Sequence, residues 1–183
     1  GIHKAELQYR VAFDNVTVPA ESILGEEGAG IRVLFDSLNP ERLVVAAANV
    51  GSADYVLKKA VEYANVRAPF DTPIGSYQSV QHPLAIAKVN IEAARSLMYK
   101  AAAQFDAGEN AAETTSMTKY LASIAFRQAT DAAANVYGGA FTDMEQDILG
   151  FFLQAKLTEL GPINNNIILS QIASKVLGLP RGY

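Results

Sequence analysis

The sequence predicts a mainly α protein, an antiparallel four-helix-type bundle preceded by a short N-terminal β-hairpin. Three observations carry this expectation. Apolar residues recur at alternating spacings of three and four through long stretches, as they do in helices that bury one face. Those stretches are separated by short Gly- and Pro-containing breaks, so successive helices must run antiparallel. Small residues crowd them (AAANVGSA, KAAAQ, TDAAAN), which lets neighbouring helices approach closely.

The N-terminal segment has a different period. Leu7, Tyr9, Val11 and Phe13 alternate with Gln8, Arg10 and Ala12, the pattern of a half-buried strand. Asp14-Asn15 supplies a turn, and Val16 to Val18 before Pro19 reads as a second strand. Two strands alone are marginal in water. They are expected to complete a larger sheet that this sequence does not contain, so the chain reads as a fragment. Residues 1–28 would then end a β-domain, and residues 29–183 would form the bundle. The Gly25 to Gly30 stretch, GEEGAG, lacks the Lys and Ser/Thr of a phosphate-binding loop and reads as a turn into helix.

A short helical run from Ile31 to Ser37 precedes Asn39-Pro40-Glu41. Asn as cap, Pro at the first helical position and an acidic third residue form a helix-start signature. The helix so begun is predicted to reach about Val66, with Leu43, Ala47, Val50, Leu57, Val61 and Ala64 inward and Asp54 interrupting the stripe. A loop from Arg67 to Ser76 follows. The next helix has the cleanest stripe: Val80, Leu84, Ala87, Ile91, Ala94, Met98, Ala101 and Phe105, stopping near Gly108. A third helix spans about Ala111 to Tyr137, with Met117, Leu121, Ile124 and Ala132 inward, and Gly138-Gly139 breaks it. A shorter helix near Glu145 to Leu160 and a last one near Asn165 to Leu177 flank Gly161-Pro162.

Composition narrows the function. The chain has 183 residues, of which half are hydrophobic, a formal charge of −4 and no cysteine. Without cysteine there are no disulfides, thiolate chemistry or Cys-based zinc sites. The acidic balance, with no basic stripe, argues against a nucleic-acid partner. No apolar run approaches the ~20 residues of a membrane span, and GIHKAELQYR lacks the layout of a secretory signal. A soluble, cytoplasmic protein is expected. His3 and His82 stand alone, so no metal site is expected.

Several segments, in order, resemble one family. VAFDNVTVPAESILGEEGAGI looks like the last strands of the acyl-CoA dehydrogenase middle domain entering its C-terminal bundle. LNPERLVVAAANVGSA looks like the first bundle helix. RAPFDTPIGSYQSVQHPLA resembles the family's Arg-x-x-Phe-Gly-x-x-Ile-x-x-x-Gln loop, with Asp71 where glycine is usual. VYGGAF resembles the Gly-Gly segment after the third helix. The resemblance implies FAD-dependent α,β-dehydrogenation of an acyl-CoA thioester, with electron-transfer flavoprotein or a similar acceptor as partner and a homo-oligomeric assembly. Such chemistry needs a carboxylate poised to take the α-proton and donors on the thioester oxygen, while the cofactor carries the electrons.

The resemblance also assigns residues. Most members place the base in a Glu-Gly-Thr-x-Gln pattern before the last helix. An ungapped alignment puts Pro162 at that Glu, Asn164 at the Thr and Asn166 at the Gln. Some members instead carry the base on the first bundle helix in a Glu-Arg-Leu pattern, which Glu41-Arg42-Leu43 matches. Glu41 then becomes the base and Arg42 a substrate contact. From the residues alone, an acidic side chain at a helix start equally serves the helix dipole. Arg67, Phe70 and Gln78 match the loop that contacts the FAD of the neighbouring subunit. Asn135, Gly138 and Gly139 match Gln-x-x-Gly-Gly, where backbone lies beside the cofactor. Pro162, having no N–H, cannot polarise a thioester carbonyl. A non-catalytic helical subunit that serves assembly is the competing reading.

Overall fold

The computed structural model describes residues 9–181. It divides the chain into two compact units, one up to Leu38 and one from Asn39 onward. In the first unit the expected β-hairpin is not formed: among the described residues there is no strand. Leu7 and Gln8 lie outside the described residues. The physical reason is visible in exposure. Tyr9, Val11, Phe13, Val16 and Val18 are all open to solvent, so the alternating pattern has no sheet face to bury it. At the expected Asp14-Asn15 turn the chain only bends, with Asn15 at φ 50° and its side-chain amide donating to Asp14 at 3.2 Å. Farther on, Gly25 at φ +78° has Val33 Cγ2 2.8 Å from where a Cβ would stand, so only glycine fits there.

Helix α1 runs without a break from Gly30 to Val66. The expected helix start at Asn39 is therefore an interior position, and Pro40 lies inside the helix. Pro40 forfeits one backbone hydrogen bond to the carbonyl four residues back, which a helix tolerates where it can bend. The Asn39 side chain is not a cap either, because it accepts a hydrogen bond from the Arg42 guanidinium.

The second unit holds the rest of α1 with α2 (Gln78–Asp106), α3 (Ala112–Tyr137), α4 (Ile148–Leu160) and α5 (Asn165–Gln171). A π turn, Ile172–Val176, extends α5. Cross-helix contacts give the directions. Asp54 of α1 pairs with Lys88 and Arg95 of α2. Asn90 of α2 donates to Gln128 of α3, and Thr118 of α3 to the Leu97 carbonyl, so these helices are antiparallel. Arg127 of α3 reaches Glu159 in the last turn of α4, and Lys119, earlier in α3, reaches Ile163 just beyond it. Tyr55 and Lys59 of α1 meet Phe151 and Gln146. The four longest helices thus alternate in direction around one core.

That core is built largely from alanine. Ala46, Ala53, Ala60, Ala87, Ala94, Ala122, Ala125, Ala129 and Ala133 are fully buried, and Phe126, Ile91 and Ile148 fill the space between them. The α2 stripe is placed as its period predicts, although Phe105 is half exposed. On α1 the expected stripe holds in part: Val50, Leu57 and Ala64 are buried together with Ala46, Ala53 and Ala60, while Ala47 and Val61 are exposed. Asp54, which interrupts the stripe, is half-buried and pairs with Arg95 of α2.

Phe126 contacts Phe151 edge-on, with ring centroids 6.3 Å apart, and is fully buried. Phe126→Ala is expected to lower unfolding stability by about 3–5 kcal/mol, read from the urea midpoint. A loss under about 1 kcal/mol would show that this core is not the one the chain uses.

Candidate functional site

The expected site residues fall on four segments of the second unit. Glu41 is exposed on α1, eleven residues beyond the helix start at Gly30. It is therefore outside the first turn, where a carboxylate would offset the helix dipole, and that structural explanation no longer applies. Its neighbour Arg42 points the other way. It is 2 % exposed and donates to Ser116 Oγ at 2.7 Å and to Asn39 Oδ1, and burial pushes its pKa down. Arg42 is thus committed to the bundle interior, where it ties the Glu41 turn to α3.

The connector from α1 to α2 presents Arg67, Phe70 and Gln78 to solvent, with Phe70 82 % exposed. The Ile74 amide donates to the Arg67 carbonyl at 2.8 Å, and the Gln81 side chain donates to the Gly75 carbonyl at 2.8 Å. A Cβ on Gly75 would stand 3.2 Å from the Ala64 carbonyl oxygen, so glycine allows the connector to close against α1. Asp71 sits at φ +58°, in the left-handed region where glycine is favoured and Asp is tolerated. This explains why the family's loop pattern has glycine there, and why Asp71 can replace it.

At the end of α3, Asn135 is exposed and Gly138 adopts φ +55°. A Cβ added at Gly138 or Gly139 would meet no atom within 4 Å, so this backbone borders open space. Finally, the connector from α4 to α5 runs through Gly161, Pro162 and Ile163. The Asn164 side chain caps α5 by accepting from the Asn166 amide at 2.8 Å, and Asn166 itself is exposed.

Sequence reasoning missed what lies behind this last connector. Lys119 is fully buried on α3. Its ammonium donates to the Ile163 carbonyl at 2.7 Å, to Asn165 Oδ1 at 2.9 Å and to the Glu159 carbonyl at 3.5 Å. Asn165 is also held by Ser123, one turn along α3, at 2.9 Å. The sequence offers little signal, because Lys119 and Ser123 are two of many polar residues spread along α3. A single-stripe periodicity assigns such residues to solvent.

Burial pushes the Lys119 pKa down from 10.5 to about 8; nearby Glu159 opposes the shift and Arg42 reinforces it. Between those two values the unfolded chain still holds the proton that the folded chain has released. This group's contribution to stability therefore rises as pH increases from about 8 to about 10.5. Urea midpoints measured across that range should show a rising component in the wild type that Lys119→Met lacks. Parallel wild-type and variant curves would contradict the burial of this ammonium.

The chain matches the family model described as acyl-CoA dehydrogenase, C-terminal domain, over residues 28–177. It is 38% identical over 180 residues to an acyl-CoA dehydrogenase of Mycobacterium tuberculosis, covering 97% of this chain and 46% of that protein. Among solved structures, it resembles a glutaryl-coenzyme A dehydrogenase in complex with glutaryl-CoA at a TM-score of 0.84 and 37% identity, covering 92% of this chain and 43% of that one. It also resembles PigA with FAD and proline at a TM-score of 0.86 and 30% identity, covering 93% and 44%. The chain spans somewhat under half the length of the relatives it matches. A match over most of this chain, with the same helical architecture, places it in the acyl-CoA dehydrogenase family.

Proposed function

We propose that this bundle serves an FAD-dependent α,β-dehydrogenation of an acyl-CoA thioester, with Glu41 as the base. The observation that carries the reading is the placement of Glu41. It is a solvent-facing carboxylate within a helix, with no helix-start role, beside an Arg42 that anchors its turn from behind. Pro162, at the alternative base position, cannot take a proton. Glu41 would accept the α-proton of the thioester at its carboxylate, leaving an enolate-like charge for nearby donors to stabilise.

The residues present fit a flavin dinucleotide. Arg67 offers a planar fork of N–H donors suited to a diphosphate, Phe70 an exposed ring face suited to an adenine, and Gln78 further amide donors. Gly138 and Gly139 offer unobstructed backbone next to Asn135, and Asn164 and Asn166 offer short amides at the start of α5. When bound, FAD supplies the two-electron acceptor for the hydride that leaves the β-carbon. An electron-transfer flavoprotein or similar acceptor would then reoxidise it. Because the Arg67 to Gln78 connector faces outward, this reading has it serve a second copy of the chain in a homo-oligomer.

The competing reading, a non-catalytic bundle that serves assembly, is favoured by Pro162, which offers no N–H where the family polarises the thioester, and by Asn166 and Gln154, which stand where the family usually has Gln and Asp. The two readings separate in a flavin-loaded preparation of the polypeptide carrying this bundle. Glu41→Gln should retain FAD yet lose flavin bleaching by acyl-CoA by several orders of magnitude, since the chemical step has no second base. Bleaching at the wild-type rate would remove Glu41 from the chemistry. A wild type bleached by no thioester would favour the assembly role. Phe70→Ala should leave stability within about 0.5 kcal/mol, because the ring is solvent-exposed, while weakening FAD retention. Unchanged FAD retention would count against the connector's role.

A further inference from the structure

We propose that Lys119 is a positioning residue whose ammonium sets the conformation of the connector between α4 and α5. The proposal rests on the functional reading only for the role that reading gives Asn164 and Asn166; the geometry is independent of it. A lysine ammonium has three N–H donors, and here three acceptors surround it: the Glu159 carbonyl at the end of α4, the Ile163 carbonyl within the connector and the Asn165 side chain at the start of α5. One cation thus joins the outgoing helix, the turn and the incoming helix. Asn165 is gripped from both sides, because its amide also donates to Ser123 of α3. Half-buried Asn164, whose side chain caps α5, and exposed Asn166 flank that gripped residue, so the placement of both follows from where Asn165 is held.

The charged groups facing Lys119 do not explain it as an ordinary ion pair. Arg42 from α1 repels it, and the carboxylate of Glu159 is taken up by Arg127 of α3 and Lys156 of α4. A buried ammonium without a carboxylate of its own is disfavoured by desolvation, and an apolar side chain of similar length would avoid that. What the ammonium supplies that an apolar side chain cannot is direction: donors aimed at the connector's own carbonyl and at the first residue of α5.

The chain's lack of cysteine allows a test at the level of one atom. Lys119→Cys is alkylated in denaturant either to S-aminoethylcysteine, which restores a lysine-like ammonium, or to S-propylcysteine, which has nearly the same shape without charge. Both are refolded, and amide hydrogen exchange is measured along the chain, with Lys119→Met and Lys156→Met as further comparisons. In the wild type the Ile168 amide bonds to the Asn164 carbonyl at 3.1 Å and reports directly on the connector. The S-propyl and Lys119→Met forms are expected to exchange about tenfold or more faster at Ile168 and its neighbours, relative to the interior of α2. The S-aminoethyl and Lys156→Met forms are expected to match the wild type. The proposal is overturned if the S-propyl and S-aminoethyl forms protect the connector equally. It is also overturned if the loss spreads evenly over α2 and α3, or if only the uncharged form recovers wild-type protection. None of these outcomes requires flavin or thioester, so they are independent of whether the dehydrogenase reading holds.

Discussion

The bundle depends on how a polar seam is accommodated inside its central helix. Ser116, Lys119 and Ser123 lie along one side of α3, buried, and each is bonded to another element: Ser116 to Arg42 of α1, Lys119 to the α4–α5 connector and to Asn165 of α5, and Ser123 to Asn165. Buried polar groups are costly unless they are satisfied, and satisfied groups fix geometry in a way that apolar contacts do not. The alanine-lined interfaces around α3 set how closely the helices approach. The polar seam sets which turn of α1 and which part of the connector sit opposite α3.

This arrangement divides the labour between inside and outside. Glu41, Arg67, Phe70, Gln78, Asn135 and Asn166 are all exposed, and each lies on or next to a segment fixed from within. Behind Glu41 stands Arg42, bonded to Ser116. Behind Phe70 lies a connector closed by the Ile74 amide and by the tight approach of Gly75 to α1. Behind Asn164 and Asn166 stands Lys119. Under the proposed function, groups that contact a ligand gain from being held before it arrives, because less ordering then remains to oppose binding.

The fold was legible where one face of a helix is buried and the other is wet, as on α2, whose buried residues follow the three-and-four spacing from Leu84 to Ala101. It was less legible on α3, which is enclosed on several sides. Thr115, Ser116, Thr118, Lys119, Ser123 and Thr130 are buried there although an amphipathic reading turns them outward. Local start signals misled at Asn39-Pro40-Glu41, because a proline compatible with a first turn is also tolerated inside a longer helix. The alternation from Tyr9 to Phe13 was a real pattern without a partner sheet in the described residues. The exposed site candidates were found through motif order rather than through periodicity. Lys119 belongs to no motif considered from the sequence, and only its three-dimensional surroundings identify it.

The central claim, that a lysine sealed inside the bundle organises the segments around it, is tested most directly on the lysine itself. Titration of the Lys119 ε-carbon resonance by NMR in the 183-residue chain, assigned by its loss in Lys119→Met, reports how far that ammonium is removed from water. A midpoint of about 8 is expected for the buried cradle. A midpoint at the ordinary 10.5 would place the ammonium in solvent and contradict the account.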